Sequence, residues 1–296
     1  SDLLTLLKNG NTGIGIDDPR ALLHVYGMEN GKGSVLFEGL VDGISPGDPP
    51  AWGPGTRMMW YPDKSAFRAG TVSEPYWNKE LIGEYSLATG YNTEASGLAS
   101  VALGLSTRAS NSYSIALGAF SEATGSQSTA IGQSVIASGT ISTALGYGTL
   151  APSFGEMAAG TYNTNYTPAS TSGWELTDRL FSIGNGISNE DRTNALTILK
   201  NGNTGIGTTD PAGYKLRVVT YASGGTSATG CFENTSESGL ALRASTTSSD
   251  GTALFIQQGS GYSLRCDGYD PNWFVSMIVT GRKVGINTSS PTQNLD

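Results

Sequence analysis

The sequence predicts an all-β chain organised around a short-period solenoid. A fourteen-residue repeat runs from Ser86 to Ala169. The 296 residues include 41 glycines but only 14% charged side chains, and short apolar runs are punctuated by Gly, Pro, Asn and Ser.

The repeat begins at Ser86, Ser100, Ser114, Ser128, Ser142 and Glu156, with glycine at the fifth position of each block (Gly90, Gly104, Gly118, Gly132, Gly146, Gly160). Alanine holds the third position (Ala88 to Ala158) and returns seven residues later (Ala95 to Ala151), so each block reads as two strand-and-turn halves. Because successive strand residues face opposite sides, the small first, third and fifth residues are expected to line the narrow interior. The second and fourth then point outward, as an apolar stripe of Leu87, Val101, Leu103, Ile115, Leu117, Ile131 and Leu145, continued by Met157. Outward positions of the second half are mostly polar or charged, as in Glu94 with Ser96, Arg108 with Ser110 and Glu122 with Thr124. So large an apolar stripe marks an interaction surface, and a second copy of the chain is its simplest partner.

In chain order, residues 1–55 read as a β-hairpin connector module. Leu4 to Lys8 is a strand, Asn9-Gly10 a tight turn, Thr12 to Gly15 the return strand, and Leu22 to Tyr26 a third strand after the Asp-Pro loop. Gly33 to Glu38 can continue as a strand, whereas 41–55 is too rich in Pro and Gly for regular structure. Residues 56–178 form the capped roll. Hairpin strands on either side of Pro62-Asp63-Lys64 are expected to close its open end with Met58, Trp60 and Phe67, since an end coil otherwise exposes strand edges and core. The repeat fades after Gly160, and Thr161 to Thr177 reads as a loop. Residues 179–281 pair Arg179 to Ile183 with Ala195 to Lys200 and repeat the first module: Lys8 to Gly15 and Lys200 to Gly207 are identical. Further shaft strands are expected at Gly239 to Ala244, Ala253 to Gln257 and Trp273 to Val279, and 282–296 opens a third module. A chain that starts and stops inside a repeated module reads as a piece of a longer fibre.

Blocks such as STAIGQSVIASGTI, SIALGAFSEATGSQ and STALGYGTLAPSFG resemble the head repeats of YadA-type trimeric autotransporter adhesins. The resemblance implies a left-handed parallel β-roll of fourteen-residue coils, flanked here by the β-hairpin shaft modules and assembled as an intertwined homotrimer. The family projects from a cell and attaches to host or matrix surfaces. For the repeat alone the alternative is a monomeric β-helix, ice-binding or polysaccharide-processing. The order MMWYPDKSAFRAG, roll, RLFSIGNG and ALTILKNGNTGIGTTDP is also similar to surface fibres of Bacteroidetes-type bacteria and to tail fibres of phages or contractile injection systems.

The residues offer little chemistry. Histidine occurs once, at His24, in a strand pattern without a nucleophile motif; three copies meeting on an axis could ligate a metal, but a lone strand histidine needs none, and no metal or cofactor is expected. Gly13-Ile14-Gly15 lacks the spacing and following helix of a dinucleotide loop. Asp17-Asp18 and Asp267/Asp270 suit turns. Cys231 and Cys266 lack metal-ligand spacing and are either a disulfide or two separate thiols. A net charge of −8 without a Lys/Arg cluster argues against nucleic acid, and no run approaches the roughly 20 apolar residues a membrane helix needs.

Aromatic rings in polar loops are the candidate ligand contacts, because a ring stacks on a sugar face while Asp or Asn fixes hydroxyls. They are Trp52, Tyr76 with Trp77, and Tyr269, Asp270 and Trp273, each equally suited to packing. The expected function is non-enzymatic: a homotrimeric, extracellular fibre segment, on a bacterial surface or a tail fibre, attaching to a receptor, glycan or matrix. The alternatives are a purely structural spacer and, less favoured, a carbohydrate-active solenoid enzyme.

Overall fold

The computed structural model describes residues 3–27, 35–211 and 213–219, together with three strands near the carboxyl end. The chain divides into two compact units, Ser1–Thr229 and Gly230–Asp296.

The first unit opens with the connector module: β1 (Leu4–Leu6) and β2 (Thr12–Ile14) pair antiparallel across Gly10, whose φ of +89° the tight turn requires, and β3 (Leu23–Val25) joins β2 in parallel. The expected strand at 33–38 does not form where the chain is described. From residue 35 to 54 the backbone is irregular, and Val35, Leu36, Phe37 and Leu40 are exposed.

A hairpin follows, β4 (Gly55–Tyr61) and β5 (Ala66–Val72), with a 3-10 turn at Pro62–Lys64. The roll is then written by alternating long and short strands: β6 (Leu87–Tyr91) and β7 (Glu94–Ala95), β8 (Val101–Leu105) and β9 (Arg108–Ala109), β10 (Ile115–Ala119) and β11 (Glu122–Ala123), β12 (Thr129–Gln133) and β13 (Ile136–Ala137), β14 (Thr143–Tyr147) and β15 (Leu150–Ala151), and β16 (Met157–Thr161). Every neighbour pairs in parallel at an offset of one repeat, placing Ala88 beside Ala102, Ala116, Ala130, Ala144 and Ala158. The second half of the coil contributes two paired residues rather than a full strand.

The interior is two files of fully buried alanines, at the third and tenth positions, flanked by buried Ser100, Ser114, Ser128 and Ser142 on one side and Thr93, Thr107, Ser121, Val135 and Thr149 on the other. Serine at the first position does more than fit. In Ser86, Ser100, Ser114 and Ser128 the hydroxyl donates to the carbonyl three residues back, at 2.5 to 2.7 Å, tying down the turn. Each coil turns at two corners seven residues apart, where residues such as Ser106, Tyr113, Phe120 and Gln127 adopt φ of 50 to 59°. There the backbone N–H bonds the coil before rather than the coil after, as from Ser106 to Tyr91 and from Tyr113 to Leu98, both at 2.7 Å. The corners thereby satisfy backbone groups that a sharp bend would orphan.

The fifth-position glycines correct one expectation. They do not line the interior, and several are exposed; their φ lies between +97° and +140°, and a Cβ on Gly118 would sit 2.0 Å from the carbonyl oxygen of Gly132 in the next coil. Glycine is fixed by coil-to-coil spacing, not by the thinness of the core.

The roll does not end at its last repeat. β17 (Arg179–Asn185) pairs in parallel with β16, then β18 (Asn194–Leu199), β19 (Thr204–Ile206) and β20 (Leu216–Val218) rebuild the connector module on the same sheet. At the other edge β5 pairs in parallel with β6, so β4 and β5 complete one twelve-stranded sheet.

In the second unit β21 (Leu264–Arg265), β22 (Met277–Thr280) and β23 (Lys283–Ile286) form an antiparallel sheet. The expected strands at 239–244 and 253–257, and the cysteines Cys231 and Cys266, lie outside the described residues.

Candidate functional site

The candidate site stands on the twelve-stranded sheet. Its inner face carries the alanine file, which the register extends at both ends: Arg68 pairs with Ala88 at one, Ser182 with Ala158 and Thr197 with Ser182 at the other. The opposite face is two rows of side chains. One runs Trp60, Phe67, Leu87, Val101, Ile115, Thr129, Thr143, Met157, Phe181 and Ile198; the second runs Met58, Ala69, Thr89, Leu103, Leu117, Ile131, Leu145, Ala159, Ile183, Leu196 and Ile206. Neither row holds a charge. Within one chain these residues are half-buried to exposed: Ile115, Ile131, Met157 and Ile183 are each 36 to 39% accessible and Met58 72%.

All seven stripe residues expected from the repeat stand in these rows. The extension onto the cap hairpin and the connector was missed, because the pairing of β5 with β6 and of β16 with β17 is long-range. The alternation in Arg-Leu-Phe-Ser-Ile-Gly was the available signal. The first connector module presents the equivalent face, with Leu4 and Leu6 in the places of Leu196 and Ile198; both are well exposed, at 64% and 75%.

The cap also departs from expectation. Met58 and Trp60 face away from the roll, and the alternate residues Met59 and Tyr61 plug it, with Ala66, Val72, Ile82 and Trp77. Arg68 is fully buried among them. Its guanidinium donates to the carbonyls of Phe67, Ser86 and Ala95 and to the Ser86 hydroxyl, at 2.8 to 3.0 Å, thus sealing the end carbonyls of the coil. Desolvation lowers its pKa to about 10, which leaves it a cation at neutral pH.

Of the candidate ligand contacts, Trp77 is fully buried, its indole N–H donating to the Thr93 carbonyl at 2.9 Å, so it is a packing residue and not a ligand contact. Trp52 is 67% exposed on its loop. Tyr76 lines an open groove of about 460 Å³ on the polar side of the roll, with Asn92, Phe120 and a register column of Glu94, Arg108 and Glu122. Arg108 Nε lies 3.3 Å from the buried Glu94 carboxylate. Tyr269, Asp270 and Trp273 lie outside the described residues. His24 sits half-buried on β3, its Nδ1 accepting from the Arg20 N–H at 3.4 Å and its ring edge-on to Tyr26.

A second polar centre closes the carboxyl end of the roll. Glu156 takes the place of serine in the last block. Its Oε2 accepts from the Ser153 N–H and the Tyr166 hydroxyl, both at 3.1 Å, while Oε1 has no hydrogen-bond partner among the described residues. Burial raises its pKa to about 7, against the stabilising Arg179 guanidinium. Arg179 stacks 4.1 Å over the Tyr166 ring, and Lys200 and Asp178 lie beside this group.

Residues 82–107 and 109–134 each match the YadA head domain repeat. The coils within 82–134 therefore match YadA-type head repeats, and the structure shows them as part of a β-solenoid. No curated protein and no solved structure matches the chain.

Proposed function

We propose that the chain is a segment of a homotrimeric extracellular fibre, in which three copies bring their two-row apolar face to a common axis and the roll acts as a rigid head. The observation that carries this reading is the uncharged double row across the sheet, half-exposed in a single chain. Leaving such a ladder in water forgoes roughly 1.5 to 3 kcal/mol per large side chain. The match to YadA-type head repeats supports an adhesin-type role and three as the number of copies.

The fibre attaches to a cell, matrix or glycan surface through its polar outer side. The groove at Tyr76 and Phe120 offers two rings beside charged and amide groups, the combination that holds a sugar. The location is outside the cell, on a bacterial surface or a tail fibre. The assignment is non-enzymatic. A purely structural spacer is the second reading, favoured by the identical connector octapeptides on both sides of the roll.

The test is solution mass by light scattering on a sizing column, with a glycan and matrix binding screen on the same sample. A mass about three times the 30.7 kDa chain is expected; a monomer would overturn the reading. Binding that is lost in Tyr76→Ala supports attachment, whereas a trimer that binds nothing supports the spacer.

A further inference from the structure

We infer that Lys200 and Asp178 become joined by an intramolecular isopeptide bond, with Glu156 carrying the protons through Ser153. The two side chains bracket the β17–β18 hairpin that couples the last coil to the connector: Asp178 immediately precedes β17, Lys200 immediately follows β18, and the Lys200 N–H donates to the Asp178 carbonyl at 2.9 Å. Both side chains are removed from water, at 0% and 3% exposure.

As an ion pair this arrangement is poor. Nζ stands 3.9 Å from Asp178 Oδ2, too far for a direct hydrogen bond, and donates to Ser153 Oγ at 3.2 Å while facing the rings of Phe154 and Trp174 at 5.9 and 5.4 Å. Two buried charges with no direct hydrogen bond between them are costly. As reactants they are well placed. Burial disfavours the ammonium form of Lys200. The Ser153 hydroxyl that receives its hydrogen bond donates to the Arg179 carbonyl at 3.0 Å, so the relay requires this hydroxyl to turn from that carbonyl to the Glu156 carboxylate, which the Ser153 N–H already holds at 3.1 Å. The Asp178 carboxyl accepts the N–H groups of Ala169, at 2.7 Å on Oδ1, and Ser170, at 3.0 Å on Oδ2. The Ala169 N–H holds the charge that develops on Oδ1 when a nucleophile adds to that carbon, and the fixed geometry supplies the proximity.

In the step, a proton passes from Nζ through Ser153 Oγ to Glu156. Glu156 returns that proton to Asp178 Oδ2, and the freed amine pair attacks Cγ of the resulting carboxylic acid and forms the C–N bond, with Oδ1 taking the single negative charge. Oδ2 then takes a second proton from the nitrogen and departs as water as the C–O bond breaks and the Oδ1 carbonyl re-forms. An ammonium and a carboxylate give an amide and one water, with no oxidant or cofactor. The bond would clamp the open end of the hairpin that couples the last coil to the connector. Lys8, in the identical octapeptide of the first module, is exposed and provides an internal control.

The experiment is intact mass spectrometry of the denatured 296-residue chain, followed by tryptic mapping. The expected result is a mass one water below that of the sequence, with trypsin failing to cut after Lys200 and yielding a branched peptide that joins 193–215 to 109–179. Glu156→Gln, folded by circular dichroism, should keep the full sequence mass, as should Asp178→Ala. A wild-type chain at full mass with normal cleavage after Lys200 overturns the bond; so does a lost water that maps elsewhere. Branching that persists in Glu156→Gln overturns the proton carrier.

Discussion

Glycine at the fifth position and glycine at a corner look alike in the sequence but answer to different forces. Gly118 combines a φ of +112° with a neighbour's carbonyl 2.0 Å from where its Cβ would lie, so relief requires the coils to separate. Gly155 sits at a left-handed corner where other coils hold Tyr113, Gln127 and Ile141, and a Cβ there meets nothing closer than 3.8 Å. Gly118→Ala should therefore cost about 3 kcal/mol or more and Gly155→Ala about 1 kcal/mol, measured by denaturant unfolding. Glu156 gives the residue-scale test of electrostatics. Its carboxyl titrates near 4.5 when unfolded and about 7 when folded. The folded state thus holds the proton more tightly, and its contribution is complete below pH 4.5 and lost as pH rises through 7. Over that window stability should fall by about 3 kcal/mol through this group. Thermal melts from pH 4.5 to 8 should show the slope in wild type and its loss in Glu156→Gln.

At the scale of elements, the coil was legible because its period is short and strict: Ala at the third position, outward Leu and Ile at the second and fourth, and strand pairing at an offset of one repeat all follow from spacing. The cap was legible only as a hairpin. A strand's two faces are distinguished by what packs on them, and Met58, Met59, Trp60 and Tyr61 are all apolar enough for either side. The choice was made by Trp77 and Ile82, which arrive from a later segment and fill the space above Met59 and Tyr61. The same long-range contact explains why Trp77 read as a loop aromatic and proved to be core. Truncating it should cost about 3 to 5 kcal/mol, the usual loss for a buried tryptophan, and its indole hydrogen bond goes with it. Tyr76→Ala, one residue away on the groove and only partly buried against the same cluster, should lower the unfolding midpoint less than truncation of Trp77 does. If the two variants unfold alike, the cap is not organised around Trp77.

At the scale of the whole molecule, the question is how far along its length the proposed contact between copies would run. Repeats alone place the proposed contact face between Leu87 and Met157, whereas the register carries the uncharged double row from Met58 on the cap to Ile206 on the connector. Ile183 separates these views, because it lies beyond the last repeat, is 38% exposed, and pairs with Ala159 of the roll. Leu117→Glu places a carboxylate in the middle of the face, and it should abolish assembly on either view, since burying an unpaired charge costs far more than one aliphatic contact contributes. Ile183→Glu should weaken assembly to a similar degree only if the face is continuous. The measurement is mass by light scattering across a dilution series, at low and high salt. Salt should rescue neither variant, because the loss comes from desolvating a charge and not from repulsion through water. A wild-type mass for Ile183→Glu, with Leu117→Glu dissociated, would confine the contact to the roll and leave the connector faces to partners other than a second copy.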